Sequence, residues 1–151
     1  MGTSPHELRV TRYIDASPQR VFDIWVGRLA DWWAPRPWTT HVEEMDLRAG
    51  GRFASTMRGP EGEAETGESV FLEVEPGRRI VFTTTLSAGW IPQSGFMMVA
   101  DFRFEPEGTG TRYTAAARHW DAAALTQHRE MGFEPGWTAV AEQLAALAEG
   151  R

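Results

Sequence analysis

The stretch from Thr40 to His119 is divided into short segments by turn-forming residues at Ala49-Gly50-Gly51, Gly59-Pro60-Glu61-Gly62, Pro76-Gly77 and Pro106-Glu107-Gly108. Glycine and proline at such positions reverse an extended chain within a few residues. Between them apolar residues recur at every second position, in the phases Phe53/Met57, Val70/Leu72/Val74, Ile80/Phe82/Leu86, Phe96/Met98/Ala100/Phe102/Phe104 and Tyr113/Ala115/Ala117. A period of two returns side chains to one face of a strand. The pattern predicts an antiparallel meander with room for six strands and one apolar face.

That face needs a cover, and the flanks of the meander supply candidates. Leu8, Val10, Arg12 and Ile14 alternate with Arg9, Thr11, Tyr13 and Asp15, predicting a first strand that runs to about Ala16. Ser17-Pro18 follows, a helix start in which serine caps free amides and proline at the first position sacrifices none. Val21, Ile24 and Trp25 then share a face. A second short helical turn is expected over Leu29 to Trp33, ended by Pro35 and Pro37, which disfavour helix in the residues before them. The closing segment predicts a helix from about Asp121, a break around Gly132 to Pro135, and a final amphipathic helix with Trp137, Val140, Ala141, Leu144 and Leu147 on one side. This last helix is expected to lie on the sheet.

At 151 residues the chain reads as one domain over 1–151, long enough to bury roughly 69% of its extended surface. All 15 basic residues are arginine, which excludes a lysine Schiff base, a P-loop lysine and a lysine general base. The absence of cysteine excludes disulfides, thiol nucleophiles and thiolate metal sites. A net charge of -6 with scattered arginines argues against nucleic acid, whose binding releases counterions to clustered positive charge. The start, Met1-Gly2-Thr3-Ser4-Pro5-His6, has neither an apolar signal core nor a myristoylation pattern, and no run reaches membrane-spanning length. The expectation is a soluble, cytoplasmic protein, with monomer and homodimer both open.

Trp and Phe in loops and at helix starts are candidates for a binding surface. The loop Ser87 to Gly95 carries Trp90-Ile91-Pro92 between glycines, costly to leave in water, and reads either as a lid or as cover for the sheet end. Trp137, with Phe133 and Met131 before it, reads either as core or as ligand contact. Of Trp32 and Trp33, one is expected to pack inward and the other to rim an entrance. Strand phase places Arg12, Ser55, Thr84 and His119 among apolar neighbours, where each needs a partner, such as a carboxylate for Arg12, or a ligand. His119 is the candidate for acid–base work because imidazole titrates near neutrality, although no orienting partner is visible beside it in the sequence. His6, His41, His119 and His128 show no metal-ligand spacing, and the nine residues between the last two match no zinc pattern. No metal and no cofactor are expected. Gly108-Thr109-Gly110 is a hairpin turn, no Gly-x-Ser-x-Gly elbow occurs, and the acidic run Glu61 to Glu68 reads as a solvated hairpin end.

Five segments taken together carry a resemblance: Ser17-Pro18 with Val21-Phe22 and Trp25; Asp31-Trp32-Trp33-Ala34-Pro35; Glu44-Met45-Asp46-Leu47-Arg48-Ala49-Gly50-Gly51-Arg52-Phe53; Met57-Arg58-Gly59-Pro60-Glu61-Gly62; and Met131-Gly132-Phe133-Glu134-Pro135-Gly136-Trp137. Across nearly its whole length the chain resembles the activator of Hsp90 ATPase homologue family within the START-like, polyketide-cyclase-like superfamily. The resemblance implies an α+β helix-grip fold: a seven-stranded antiparallel sheet curled around a long C-terminal helix, with two short helices between strands 1 and 2. Superfamily members bind lipids, hormones or polyketides, or catalyse cyclisation, so scaffold alone does not select an activity. The leading expectation is a small hydrophobic ligand, lipid-like or aromatic, held in an enclosed apolar cavity between sheet and C-terminal helix. Its expected lining is Trp33, Phe53, Phe82, Trp90, Met98, Phe102, His119, Phe133 and Trp137. The alternatives are a cyclase- or hydrolase-type enzyme using the same pocket with His119 or Arg12 moving protons, and a co-chaperone-like modulator of an Hsp90-type ATPase. Eukaryotic co-chaperones of the family carry an additional N-terminal domain to which nothing in this sequence corresponds, which sets the last expectation below the others. Asp46 and Arg48, inside the resemblance, read as hairpin structure.

Overall fold

The computed structural model describes residues 6–151; the reading of Met1 to Pro5 as free of a targeting segment lies outside the described residues. The strands are β1 (Glu7–Ile14), β2 (Thr39–Met45), β3 (Arg52–Arg58), β4 (Ala64–Glu75), β5 (Arg79–Thr83), β6 (Leu86–Ser87), β7 (Ile91–Pro92), β8 (Val99–Glu107) and β9 (Gly110–Arg118). The helices are α1 (Pro18–Gly27), α2 (Ala122–Glu130) and α3 (Phe133–Ala148), with a 3-10 turn at Leu29–Asp31. Seven strands form one antiparallel sheet in the order β1-β9-β8-β5-β4-β3-β2, and β6 pairs with β7 in a separate two-stranded ribbon. The helix-grip expectation, with six meander strands joined by the first strand, is thus the observed architecture. The loop from Ser87 to Gly95 differs in being folded on itself: Gln93 Nε2 donates to the carbonyls of Glu68 (2.6 Å) and Thr84 (2.8 Å) and holds it to the sheet.

Alternation holds along β1, where Leu8 and Ile14 are buried while Arg9, Thr11 and Tyr13 are exposed. It fails along β4. The expected phase Val70/Leu72/Val74 is broken by a bulge between Phe71 and Glu73, so that Phe71 enters the core and Leu72 is 37% exposed. One extra residue on a bulged strand exchanges the two faces beyond it.

Ser17 Oγ accepts the amide of Arg20 and caps α1, whose buried Val21, Phe22 and Trp25 pack on the sheet. Asp121 caps α2 through the amide of Ala124. The helix break falls earlier than expected. Gly132 takes a left-handed φ of 92°, and α3 already begins at Phe133, so Pro135 sits in its first turn, where a missing amide costs nothing. The core lies between one sheet face, α1 and α3. The opposite face carries ion pairs centred on buried Asp101, which accepts from Arg79 (2.8 Å), Arg103 (3.3 Å) and Arg118 (2.8 Å). Asp46 and Arg48 pair at 2.9 Å beside the Gly50-Gly51 turn, which is their structural role. Among the described residues, no helix is long and apolar enough to cross a membrane.

Candidate binding cleft

Strand phase and register decide which side chains face α3. Phe53, Ser55 and Met57 on β3 share that inner face with their partners Ser69, Gly67 and Glu65 on β4. Gly67 supplies no side chain, and a Cβ placed there would meet nothing within 4 Å. A gap therefore remains between the end of the sheet and the helices. It is a cleft of about 540 Å³ over Trp33, Phe53, Phe82 and Met98, with Ser55, Glu65 and Gln93 on its polar side. Sharing the walls Trp33, Met57 and Met98, a second lobe of about 230 Å³ runs under α3 between Phe102, Tyr113 and Trp137. A third of about 300 Å³, which shares Phe96 and Met131 with the first as walls, reaches His119 and Trp120. These volumes fall at or just below those of small-molecule sites. The space is open to solvent rather than enclosed, because Gly67 and the β4 end leave one side uncovered.

Trp33 divides the first two lobes. Trp32 is buried at 1% exposure, with its indole N–H donating to the Trp25 carbonyl at 3.3 Å, whereas Trp33 is half-buried with its ring 5.7 Å from Phe53, 6.0 Å from Phe82 and 6.0 Å from Phe102. The two tryptophans separate into one core and one cleft residue, as expected. Gln143 on α3 fixes the segment: its amide donates to the carbonyls of Trp32 (3.0 Å) and Ala34 (2.9 Å), and its oxygen accepts the amide of Arg36 (3.0 Å).

His119 does have an orienting partner, contrary to the reading of the sequence. It directly follows β9, His128 lies in the last turn of α2, and the packing of α2 brings His119 Nε2 to 2.9 Å from His128 Nδ1. His119 Nδ1 faces the Met97 carbonyl at 3.2 Å. A carbonyl only accepts, which assigns the proton of neutral His119 to Nδ1 and makes its Nε2 the acceptor for N–H at His128 Nδ1. The rings of Phe96 (4.7 Å), Phe133 (5.0 Å) and Trp137 (5.8 Å) surround His128. Burial, and secondarily the neighbouring His119, push the His128 pKa down to about 4. Burial also lowers that of His119, against the raising effect of the Met97 carbonyl. Both imidazoles are neutral at pH 7. Among the described residues, no group of three or more His, Cys, Asp or Glu is placed to hold a metal ion.

The residues singled out from the sequence distribute over these lobes. Trp33, Phe53, Phe82 and Met98 meet in the largest; Phe102 and Trp137 face each other across the second, with rings stacked at 5.9 Å; His119 borders the third. Phe133 is buried behind His128 and Trp137 and lines none of them. Trp90 stands apart: it is 59% exposed, adopts a left-handed φ of 62°, and lays its ring on Gly50, away from the cleft. Arg12 is held by the Glu142 carboxylate of α3 at 2.7 and 2.9 Å, the internal pairing anticipated for it. Thr84 Oγ1 donates to the Phe96 carbonyl (2.7 Å) and accepts the amide of Met98 (2.9 Å), so it too is satisfied internally. Glu65, Gly67 and Gln93 also line the largest lobe, and no sequence pattern marks them as site residues. Glu65 and Gly67 lie in the acidic run that reads as solvated and Gln93 in the loop that reads as a lid, and the inward phase of Glu65 depends on pairing with Met57.

The family model described as activator of Hsp90 ATPase homolog 1-like protein matches residues 15–149. A crystal structure of a protein from Nitrosomonas europaea superposes with a TM-score of 0.89 at 30% identity, over 99% of each chain. An Arthrobacter aurescens protein solved by NMR gives 0.83 at 26% identity, over 96% of this chain and 87% of that one. A crystal structure from Mycobacterium smegmatis gives 0.79 at 27% identity, over 93% and 89%. No curated protein matches.

Proposed function

Because the chain belongs to the activator of Hsp90 ATPase homolog 1-like family, we propose that it uses the helix-grip scaffold to bind a small, mainly apolar molecule in the cleft between sheet and α3. The observation that carries this reading is Trp33, a half-buried indole that lines two lobes and lies between Trp32 and Ala34, whose carbonyls Gln143 ties to α3. Leaving Trp33, Met98 and Trp137 partly uncovered forgoes burial worth roughly 25 cal/mol per Å² of apolar surface, and a ligand recovers it. A molecule of about twenty heavy atoms at roughly 0.3 kcal/mol per atom binds in the tens of micromolar range. The test is titration with Nile red, an uncharged apolar dye, alongside native mass spectrometry of freshly purified protein. Dye emission should rise and saturate with wild type and fall strongly with Gly67→Trp, which fills the cleft where space is open. Emission no greater than with a protein lacking a cleft overturns the reading.

A second reading rests on the His119–His128 pair. Two neutral imidazoles in a fixed tautomeric chain beside the third lobe can accept and relay a proton, which suits the cyclase- or hydrolase-type activity expected as an alternative. It requires turnover of a bound compound that His128→Gln abolishes while the circular dichroism spectrum stays unchanged.

A further inference from the structure

The period of two and the observed register sort the charges of the sheet with little ambiguity. The arginines of the seven-stranded sheet all point away from the helices except Arg12, since Arg52, Arg79, Arg103 and Arg118 take the phase opposite to Phe53, Ile80, Phe102 and Ala117. Arg12 is not available to a ligand, because Glu142 occupies its guanidinium from above and Glu149 lies 3.9 Å away. The inner face then keeps one charge without a partner. Glu65 is paired across the ladder with Met57 and so projects onto the cleft side, and no ion pair or hydrogen bond engages its carboxylate among the described residues. Glu68 follows the outward phase and is held by Arg52 at 2.7 Å. No arginine lines any of the three lobes.

We infer, building on the binding reading above, that the cleft selects ligands whose polar end is a cationic nitrogen, an alkyl- or arylammonium group placed at Glu65, over ligands ending in a carboxylate. An anionic head entering here would gain no guanidinium and would face the like charge of Glu65, which is exposed at the mouth of the cleft. An ammonium head gains a carboxylate at the solvent-open end while its apolar body lies along Met57, Met98 and Trp33. Ser55, inward on β3 opposite Gly67 and without a hydrogen-bond partner among the described residues, offers such a head a second acceptor.

The test uses three probes with one tail, decylamine, decanol and decanoate, titrated calorimetrically at neutral pH and low ionic strength. Decylamine should bind at least threefold more tightly than decanoate, with decanol between them. Glu65→Gln should bring the three together and Glu65→Arg should reverse the order. Glu107→Gln, the same charge change at the far end of the sheet, should leave the order as in wild type, which separates the cleft from the general negative charge of the chain. Decanoate bound by wild type as tightly as decylamine, or an order unaltered by Glu65→Gln, overturns the inference while the binding reading stands. Failure of decylamine, decanol and decanoate to bind, together with failure of Nile red, overturns both.

Discussion

His119 and His128 share one hydrogen bond, 2.9 Å between Nε2 and Nδ1, across the contact between the end of β9 and the last turn of α2. A pair of buried imidazoles so arranged is stable only while uncharged. The unfolded chain protonates His128 near its ordinary value of 6.5, whereas the folded protein resists until about 4. The folded pKa is therefore the depressed one. Stability should be constant above about pH 6.5 and decline as pH falls towards 4, by on the order of 3 kcal/mol at most. Urea unfolding across this range checks it, and His128→Gln should flatten most of the decline.

The two glycines flanking β3 and facing it should respond oppositely to alanine. A Cβ on Gly67 meets nothing within 4 Å, and its φ lies outside the left-handed range, so Gly67→Ala should stabilise by roughly 0.5 kcal/mol through the unfolded chain. A Cβ on Gly51 would stand 1.8 Å from the Asp46 carbonyl oxygen. Gly51→Ala should cost on the order of 2 kcal/mol or more, as the turn before β3 shifts. Thermal unfolding of both variants is the measurement.

Trp33→Ala removes the wall between two lobes and the ring contacts to Phe53, Phe82 and Phe102. A loss of roughly 2–4 kcal/mol is expected for an indole that is half-buried, together with loss of Nile red binding. Trp33→Phe keeps the apolar wall and should retain most of both. Equal effects of the two substitutions on dye binding would contradict the role given to the indole as a divider.

Asp101 tests the outer face. Burial by itself would raise its pKa, but hydrogen bonds from Arg79, Arg103 and Arg118 outweigh that and hold it at about 2. The folded value lies below the ordinary 3.8, so its contribution is complete above that pH and is lost as pH falls towards 2. Asp101→Asn should cost roughly 2 kcal/mol at neutral pH, because three guanidinium groups lose their shared acceptor. Dye binding should be unaffected, since Asp101 faces away from the cleft.

Much of the fold was legible because its signals are local. Ser17-Pro18 starts α1, Gly50-Gly51 and Gly77 turn the chain, and alternation along β1 and β8 marks the buried face. Where local pattern misled, one residue was decisive: the bulge at Phe71 to Glu73 moved Leu72 to the surface, and the left-handed φ of Gly132 turns the chain so that only Met131 and Gly132 separate α2 from α3. Trp90 illustrates the opposite limit. An aromatic in a long loop reads as a lid, yet the loop folds back through Gln93 and carries the indole onto Gly50.

The sequence by itself determined the family, the order of the main elements and the faces of β1, β3, β5, β8 and β9, since turn chemistry and side-chain periodicity act over a few residues and survive without neighbours. Partnerships across the chain were decided only by the tertiary structure. Arg12 and Glu142 are 130 residues apart, His119 and His128 lie on different elements, and the inward placement of Glu65 follows from its register against Met57. Each is a contact between elements whose relative position is set by packing the sheet against α2 and α3, and no periodicity within a single element encodes it.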